Sequence, residues 1–434
     1  MKHNILFIFL LFGALSINAQ EILTLEQAVE KTLNNNLNIK VFRNNIAVAE
    51  NNSNMGNAGM LPNVTLNGAT NYSSNNTKLE FAGNIAPVEQ NGAQSTSNNL
   101  SVNLNYTLFD GLAMFYNYDI LKASKSQTEI QTRLNIENTL LQVIAGYYEM
   151  ARLQNQMKIG KEALAISKER YRRAKTYNEF GGSSKIEFLS AEVDLNTDSS
   201  AFLNAELAWV NSRRNLNFLM GVENDLMYKV EEDVTLNKDL EIENLFDKAK
   251  QNNAGVMNAE YNILISEKQL KTTKSTLLPA IAANASYGYS GSNNEVGIVL
   301  SNQNTGFNAG LSLTYPLFRG GVQSTQRQNA QIQLENATLQ KELAEKQLVR
   351  DLNNAFSTYQ NAIRVVELNE KNLVTAKLNF NRTKELYDLG KVTNTQFRQA
   401  QLNFARTKST LVNSSFQVKL AEADLIRISG SLLE

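Results

Sequence analysis

Two stretches of the sequence are the most informative about the fold: LSVNLNYTLFDG at residues 100–111 and FNAGLSLTYPLFRG at residues 307–320. In each, apolar and polar residues alternate before the chain reaches a Leu-Phe-x-Gly turn. Strict alternation predicts a β-strand with one apolar and one polar face. The polar faces carry Asn, Ser, Thr and Gly but almost no charge, a pattern typical of strands with lipid on one side and water on the other.

The two stretches belong to an internal repeat that covers nearly the whole chain. A Leu-Pro pair precedes the first strand of each half, at residues 61–62 and 278–279, and the turn glycine Gly181 has its counterpart in Gly390. In each half we therefore predict, in order, a helix, two strands, a very long helix, a turn and a long helix.

The repeat sets the predicted domain boundaries. They are a signal peptide at residues 1–19, a first repeat at 20–220, an equatorial connector at 221–240 and a second repeat at 241–434. The strands are predicted at about residues 63–72, 98–109, 280–290 and 306–318, with hairpin tips near residues 181 and 390. The polar segments 73–98 and 290–306 are predicted to be loops, which the family resemblance given below would place outside the cell.

The first residues predict export from the cytoplasm. Lys2 is followed by an apolar run from Ile5 to Ile17, and the sequence around Ala19 suits cleavage after that residue. The run is short for a membrane-spanning helix, and no other long uncharged apolar run follows, so we expect no helical membrane anchor. The sequence has no Cys, hence no lipid-acceptor residue, and we expect that the protein is not a lipoprotein.

Composition excludes several classes of function. The 42 basic and 42 acidic residues balance, so no basic face is expected to bind nucleic acid. The single His is His3, inside the predicted signal, which removes the commonest general base and metal ligand from the mature chain. No catalytic or nucleotide-binding motif occurs. The sequence therefore predicts no enzyme activity, no cofactor and no metal site.

The helices are predicted to be too long for a globular domain. Nothing breaks the helical pattern from Gly111 to about Tyr177 or from Gly321 to about Leu389, a length of roughly 100 Å each. Heptad spacing on the returning helices predicts two antiparallel coiled-coil hairpins. The heptads alone favour an ordinary soluble coiled coil, but the lipid-compatible strands and the signal peptide outweigh that interpretation.

Four strands cannot close a barrel, and an open sheet edge is not tolerated in lipid. One chain is therefore predicted to be incomplete, with further copies supplying the missing strands. The residues do not fix the number of copies.

The whole mature chain resembles the TolC-like outer-membrane efflux proteins in its tandem halves, its Leu-Pro pairs and its Leu-Phe-x-Gly turns. The resemblance implies an α+β, mainly α fold that assembles as a homotrimer. Four transmembrane strands per chain would form a twelve-stranded barrel in the lipid of the outer membrane, continuous with a long periplasmic coiled-coil barrel.

The resemblance also implies a function and its partners. The chain would be the exit duct of a tripartite efflux pump, conducting substrates passively from a periplasmic adaptor (membrane fusion) protein and an inner-membrane RND or ABC transporter to the exterior. The outer-membrane component of type I protein secretion is one alternative. A structural or adhesive trimer on the cell surface is the other.

The hairpin tips are where this family gates its channel and docks its adaptor. By the resemblance, these roles fall on residues of both turns: Gly181, Ser184, Glu187 and Phe188 in the first, and Tyr387, Gly390, Thr393, Gln396 and Gln399 in the second. Glu187 is expected to accept a hydrogen bond from Tyr387 in the resting state. The alternative is that the two side chains only cap and pack.

The sequence departs from the best-studied family pattern at three tip positions. Val392 stands where an Arg would link the hairpins, and Gln396 and Gln399 stand where paired Asp residues would ring the pore. Carboxylate rings attract cations. We therefore expect weaker cation selectivity at this tip.

Overall fold

The computed structural model describes residues 22–83, 86–182, 184–232, 234–237 and 240–433. The predicted signal peptide lies outside these residues. The fold is mostly helical. The helices are α1 Leu25–Asn35, α2 Leu37–Asn52, α3 Ala113–Glu179, α4 Lys185–Met220, α5 Ile242–Asn252, α6 Ala254–Ser275, α7 Val322–Asp388 and α8 Asn394–Ile428. The strands are β1 Ile22–Leu23, β2 Asn63–Leu79, β3 Val88–Phe109, β4 Lys229–Val230, β5 Ala280–Asn294 and β6 Ser301–Thr314.

The chain divides into two compact units. One contains residues 42–134 and 254–347, and the other contains the remaining described residues. The two very long helices, α3 and α7, have 67 residues each and contribute to both units. Their ends lie close to the bounds predicted from the uninterrupted helical pattern.

The first unit holds a four-stranded antiparallel sheet in the order β2-β3-β5-β6. The Leu-Pro pairs lie directly before β2 and β5, because proline lacks the N–H that a strand interior needs. The apolar face of the sheet is open: Leu66 and Leu311 are 68% and 75% exposed. A face of this kind in a folded chain requires an apolar environment or a partner.

The predicted bounds were inaccurate for all four strands of this sheet. The segments 73–98 and 290–306, predicted to be loops, pair over most of their length, and β2 and β3 stay in register from Asn63↔Asn105 to Asn75↔Ala93. Their Asn and Ser residues have low strand propensity, but the backbone ladder between neighbouring strands overrides it. The fourth strand ends earlier than predicted, at Thr314, because Pro316 cannot continue the ladder.

The second unit has its core where the long helices α3 and α7 pack against the helices that follow them, α4 and α8. One apolar cluster surrounds Tyr147, Trp209 and Leu216, and a second surrounds Leu352, Tyr359 and Leu425. The short strands β1 and β4 pair in parallel, and the Tyr147 hydroxyl bridges them: it donates to Leu23 O at 3.0 Å and accepts from Glu231 N at 3.3 Å.

Candidate functional site

Each helical hairpin reverses at a glycine in the left-handed region. Gly181 follows α3 with a φ of 75°, and Gly390 follows α7 with a φ of 71°. Only glycine adopts this conformation without a steric penalty, and it is the usual residue just beyond a helix end. The two predicted tip glycines therefore close their helices by the same backbone geometry.

The residues after the glycines cap the returning helices. Ser184 Oγ accepts from Glu187 N at 3.4 Å at the start of α4. At the start of α8, Thr393 Oγ1 accepts from Gln396 N at 3.2 Å, and Gln396 Oε1 accepts from Thr393 N at 2.8 Å. This second arrangement is a full capping box. The Gln396 side chain is thus engaged within its own helix end.

Tyr387 makes different contacts from those expected. No hydrogen bond joins Tyr387 to Glu187 in the described part of the chain. The Tyr387 ring instead stacks on Phe397, with centroids 4.7 Å apart, and the Arg173 guanidinium lies 4.5 Å from the ring centroid on α3 of the other hairpin. Burial raises the pKa of the Tyr387 hydroxyl above its usual value. Ring packing and a cation–π contact hold this residue.

Arg173 also forms an ion pair between the two hairpins, because its Nη1 lies 3.1 Å from Asp388 Oδ1. Arg173 and Tyr387 also border an open cleft of about 330 Å³ between the hairpin turns. Five of the predicted site residues line it: Glu187, Tyr387, Gly390, Thr393 and Gln396.

The other predicted residues lie around the cleft. Phe188 packs against Tyr171 of its own hairpin, with ring centroids 5.7 Å apart. Gln399 is exposed on α8, where its Nε2 donates to Asn403 Oδ1 at 3.2 Å. Val392, at the position of the missing Arg, lines the cleft.

A buried polar network joins the hairpins farther from the turns. Arg170 on α3 is 2% exposed, and its guanidinium donates to three side chains. These are Asn394 Oδ1 at 2.9 Å and Gln401 Oε1 at 3.4 Å on α8, and Asp194 Oδ2 at 2.9 Å on α4. One side chain therefore ties three helices together.

A second arginine in this network pairs with an aspartate. Arg398 on α8 donates to Asp198 on α4 through Nη1 at 2.5 Å and Nη2 at 2.8 Å, and Ser167 Oγ donates to the same carboxylate at 2.5 Å. Burial acts to raise the pKa of Asp198, but the hydrogen bonds from Arg398 and Ser167 outweigh it and hold that pKa below its usual value. Asp198 is therefore ionised near neutral pH.

None of the network's arginines was predicted as a site residue from the sequence. Asp198 does stand out in the sequence, because it follows Leu195 by three residues and precedes Phe202 by four, which places a charge in an otherwise apolar heptad seam. A charge at such a position signals a buried partner. The identity of that partner, Arg398, depends on how the two hairpins lie side by side, which heptad spacing does not encode.

In the part of the chain that the structure describes, no helix is both long and apolar enough to cross a membrane. The arrangement of long helices and sheet is the fold of the TolC-like outer-membrane channels. The crystal structure of the CmeC outer-membrane channel of Campylobacter jejuni superposes with a TM-score of 0.78 at 15% identity, covering 94% of this chain and 86% of that one.

The chain belongs to the outer membrane efflux protein family, whose model matches residues 28–222 and 245–431. It is similar to the outer membrane efflux protein BepC of Brucella suis, with 23% identity over 78% of this chain and 73% of BepC. It is also similar to the outer membrane protein TolC of Vibrio cholerae, with 21% identity over 78% of each chain. The protein is therefore an outer-membrane channel protein and not an enzyme.

Proposed function

We propose that the chain is the exit duct of a tripartite efflux pump. Three copies form a twelve-stranded barrel in the outer membrane, and their helical hairpins extend into the periplasm. The duct itself is passive. It receives substrates from a periplasmic adaptor protein and an inner-membrane transporter.

The single observation that carries this proposal is the open sheet. Its outer strands, β2 and β6, have no partner on their outer edges among the described residues. Unpaired backbone groups cost several kcal/mol each in hydrocarbon, so a sheet in lipid must close. Other copies of the chain are the natural source of the missing edges.

The two edges of the sheet are complementary. Within the chain, the turn after β3 packs closely on the end of α6: a Cβ on Gly111 would lie 2.5 Å from Ser275 O and 2.9 Å from Leu278 Cβ. In the corresponding turn after β6, a Cβ on Gly320 would meet nothing within 4 Å among the described residues, and Phe318 beside it is 86% exposed. A neighbouring copy would supply the equivalent of the Leu278 segment.

The opposite edge of the sheet, at β2, carries the segment that is equivalent to the Leu278 segment. Leu61, which precedes β2 as Leu278 precedes β5, is 57% exposed. The β6 edge of one copy therefore fits the β2 edge of the next in the way that β3 fits β5 within the chain. This head-to-tail contact closes into a ring. The number three follows from the resemblance to TolC-like channels.

The hairpins offer a second complementary pair of surfaces. On α4 an apolar stripe stays exposed, formed by Ile186, Val193, Leu203 and Leu207. On α7 another is formed by Leu368, Val374 and Leu378. Stripes of this kind are expected to be covered in the finished assembly. The α4 stripe of one copy packs on the α7 stripe of the next.

Cysteine crosslinking tests the assembly, and the Cys-free sequence makes it clean. In the chain, Val102 of β3 lies opposite Tyr287 of β5. The equivalent positions on the outer edges are Leu311 and Thr70. The double variant Leu311→Cys/Thr70→Cys should therefore form disulfide-linked dimers and trimers in oxidised cells.

The matched control is Leu311→Cys/Asn71→Cys. A shift of one residue turns the second side chain to the other face of the sheet, so crosslinking should drop sharply. If neither double variant gives more than monomer, while the protein is present in the outer membrane, the trimeric barrel is wrong.

We further propose that the tip residues restrict the duct and bind the adaptor. The support is geometric: five of the predicted residues line one cleft, and the contacts of Arg170, Arg173 and Arg398 hold the two hairpins together next to it. Opening the tip requires some of these contacts to break.

The partner decides between efflux and type I protein secretion. Crosslinking in intact cells, purification of the channel and mass spectrometry of the associated proteins would identify it. A proton-driven transporter with an adaptor supports small-molecule efflux, and an ATP-driven exporter shifts the assignment to secretion. Protease sensitivity of the helices in intact cells would instead favour a surface stalk.

A further inference from the structure

The second unit contains a buried arginine that has no hydrogen-bond or ion-pair partner among the described residues. Arg213 on α4 is 6% exposed, and its Nε and Nη1 atoms are fully buried and unsatisfied. One turn earlier on the same helix, the buried Trp209 Nε1 is also unsatisfied. The two side chains touch, since the guanidinium carbon lies 5.1 Å from the indole ring.

A guanidinium without a counterion is costly in this position. Trp209 is part of the apolar cluster with Leu216 and Tyr228. Contact with its aromatic face offsets only part of the free energy that the guanidinium loses when it leaves water. Arginine does not escape the cost by losing its proton, because its pKa is too high. The position therefore favours a bound anion over an isolated charge.

Nearby polar groups do not provide that anion. The Tyr228 phenol interacts electrostatically with Arg213, but its hydroxyl donates to Asn217 Oδ1 at 2.7 Å, and burial raises its pKa, so it stays neutral. The Asn217 amide nitrogen is also committed, to Asn224 O at 2.9 Å and Leu226 O at 3.1 Å. The donors of Arg213 and Trp209 are thus left for a group from outside the chain.

We propose that Arg213 and Trp209 form an anion site in the second unit that takes a carboxylate. The third guanidinium nitrogen, Nη2, also has no hydrogen-bond partner among the described residues, yet it is not one of the buried atoms left without a partner, so it keeps some contact with solvent. Each of the two forked edges of a guanidinium that bind carboxylate in bidentate fashion includes this atom. A carboxylate arriving at Nη2 therefore also satisfies one of the buried N–H groups.

The carboxylate has two possible sources: a free organic acid, or an Asp or Glu side chain of a second copy. Trp209 is the only Trp in the sequence, so its fluorescence reports on this site alone. The experiment titrates sodium formate into the purified channel, with sodium fluoride holding the ionic strength constant. Trp209 fluorescence and Tm are followed in the wild type and in Arg213→Met.

A free-acid site predicts a saturable fluorescence change and a rise in Tm with formate in the wild type, both lost in Arg213→Met. A side-chain source predicts no response to formate, but a lower Tm and fewer intact oligomers for Arg213→Met. The inference is overturned if formate has no effect and Arg213→Met is at least as stable and oligomeric as the wild type. Single-channel conductance tests the duct independently, because Arg213 is remote in sequence from the tip residues.

Discussion

Arg398 on α8 binds Asp198 on α4 through two hydrogen bonds, of 2.5 and 2.8 Å, and so joins the second helical hairpin to the first. The side chains are 11% and 10% exposed. Because both side chains are largely buried, loss of one partner would leave the other charge buried without a counterion.

Removing the arginine should therefore destabilise the hairpins. We expect Arg398→Met to cost about 3 kcal/mol, because Asp198 loses its counterion inside the protein. The double variant Arg398→Met/Asp198→Leu should recover most of that loss. Thermal unfolding of the detergent-solubilised protein measures both.

The matched control is Lys346→Met, which breaks an exposed ion pair with Glu342 on α7. It should leave Tm unchanged, since exposed pairs contribute little. An equal loss of stability in Lys346→Met and Arg398→Met would show that the buried pair has no special role.

The same pair predicts an acid-dependent loss of stability. The pKa of Asp198 is lowered in the folded protein from its ordinary value of 3.8. A lowered folded-state pKa means that the stabilisation is complete above pH 3.8 and is lost as the pH falls through the folded-state value. The Tm of the wild type should fall toward that of Asp198→Asn in this acidic range. A constant difference between the two down to the lowest pH contradicts the assignment.

Tyr387 should act through its ring. The hydroxyl makes no hydrogen bond to Glu187, whereas the ring stacks on Phe397 at 4.7 Å and contacts Arg173. We expect Tyr387→Phe to behave like the wild type and Tyr387→Leu to lose about 1 kcal/mol. A loss of stability in Tyr387→Phe as large as in Tyr387→Leu would instead support the hydrogen bond to Glu187 that the resemblance predicts.

Substitutions of Gly111 and Gly320, which lie in the turns after β3 and β6, should distinguish an effect on folding from an effect on assembly. Gly111→Ala should be strongly destabilising, because it adds a clash with Ser275 O to the roughly 1 to 2 kcal/mol cost of a positive φ. The Cβ added by Gly320→Ala would meet nothing within 4 Å in the part of the chain that the structure describes. This substitution should reduce trimer formation if a neighbouring copy packs there.

Gly83→Ala is the control, since it has a similarly positive φ and open space around it in the β2–β3 connection. Native gel electrophoresis should show fewer trimers for Gly320→Ala than for Gly83→Ala. Equal trimer fractions would argue against contact between the sheet edges.

Because the tip carries Gln rather than Asp at positions 396 and 399, cations should have little effect on the channel's conductance. Gln399 is exposed near the start of α8, and Gln396 is held in its capping box. We expect spermine to leave wild-type conductance nearly unchanged and to inhibit Gln399→Asp, because a carboxylate ring attracts polycations. The control is Thr410→Asp, which places a carboxylate at an exposed position on the same helix. Gln401→Glu would not serve as a control, because Gln401 is buried. Equal inhibition of Gln399→Asp and Thr410→Asp would place the effect outside the tip.

The sequence predicted the elements better than their contacts. Alternation and the Leu-Pro pairs located where β2 and β5 begin, and unbroken helical pattern located α3 and α7, because these features depend on local backbone chemistry. Strand ends were predicted less well. The Asn- and Ser-rich parts of β2 and β3 form strands only because each provides the other's hydrogen-bond partners.

The tip shows the same limit. Ser184 and Thr393 were identified by the resemblance, and their capping role is local and readable from the three-residue spacing to Glu187 and Gln396. The partners of Arg170 and Arg398 lie more than 20 residues away in sequence, mostly on the other hairpin. Only the packing of the helices brings them together.

Single-channel recording of the purified, crosslinked Leu311→Cys/Thr70→Cys trimer in planar lipid bilayers, with and without Arg173→Met, tests whether the trimer is a duct restricted at its tip. We expect discrete conductance steps from the crosslinked trimer, and larger steps when Arg173 no longer holds Asp388 and Tyr387 at the tip. A crosslinked trimer that inserts into the bilayer but shows no discrete conductance, in either form, would show that it is not a duct.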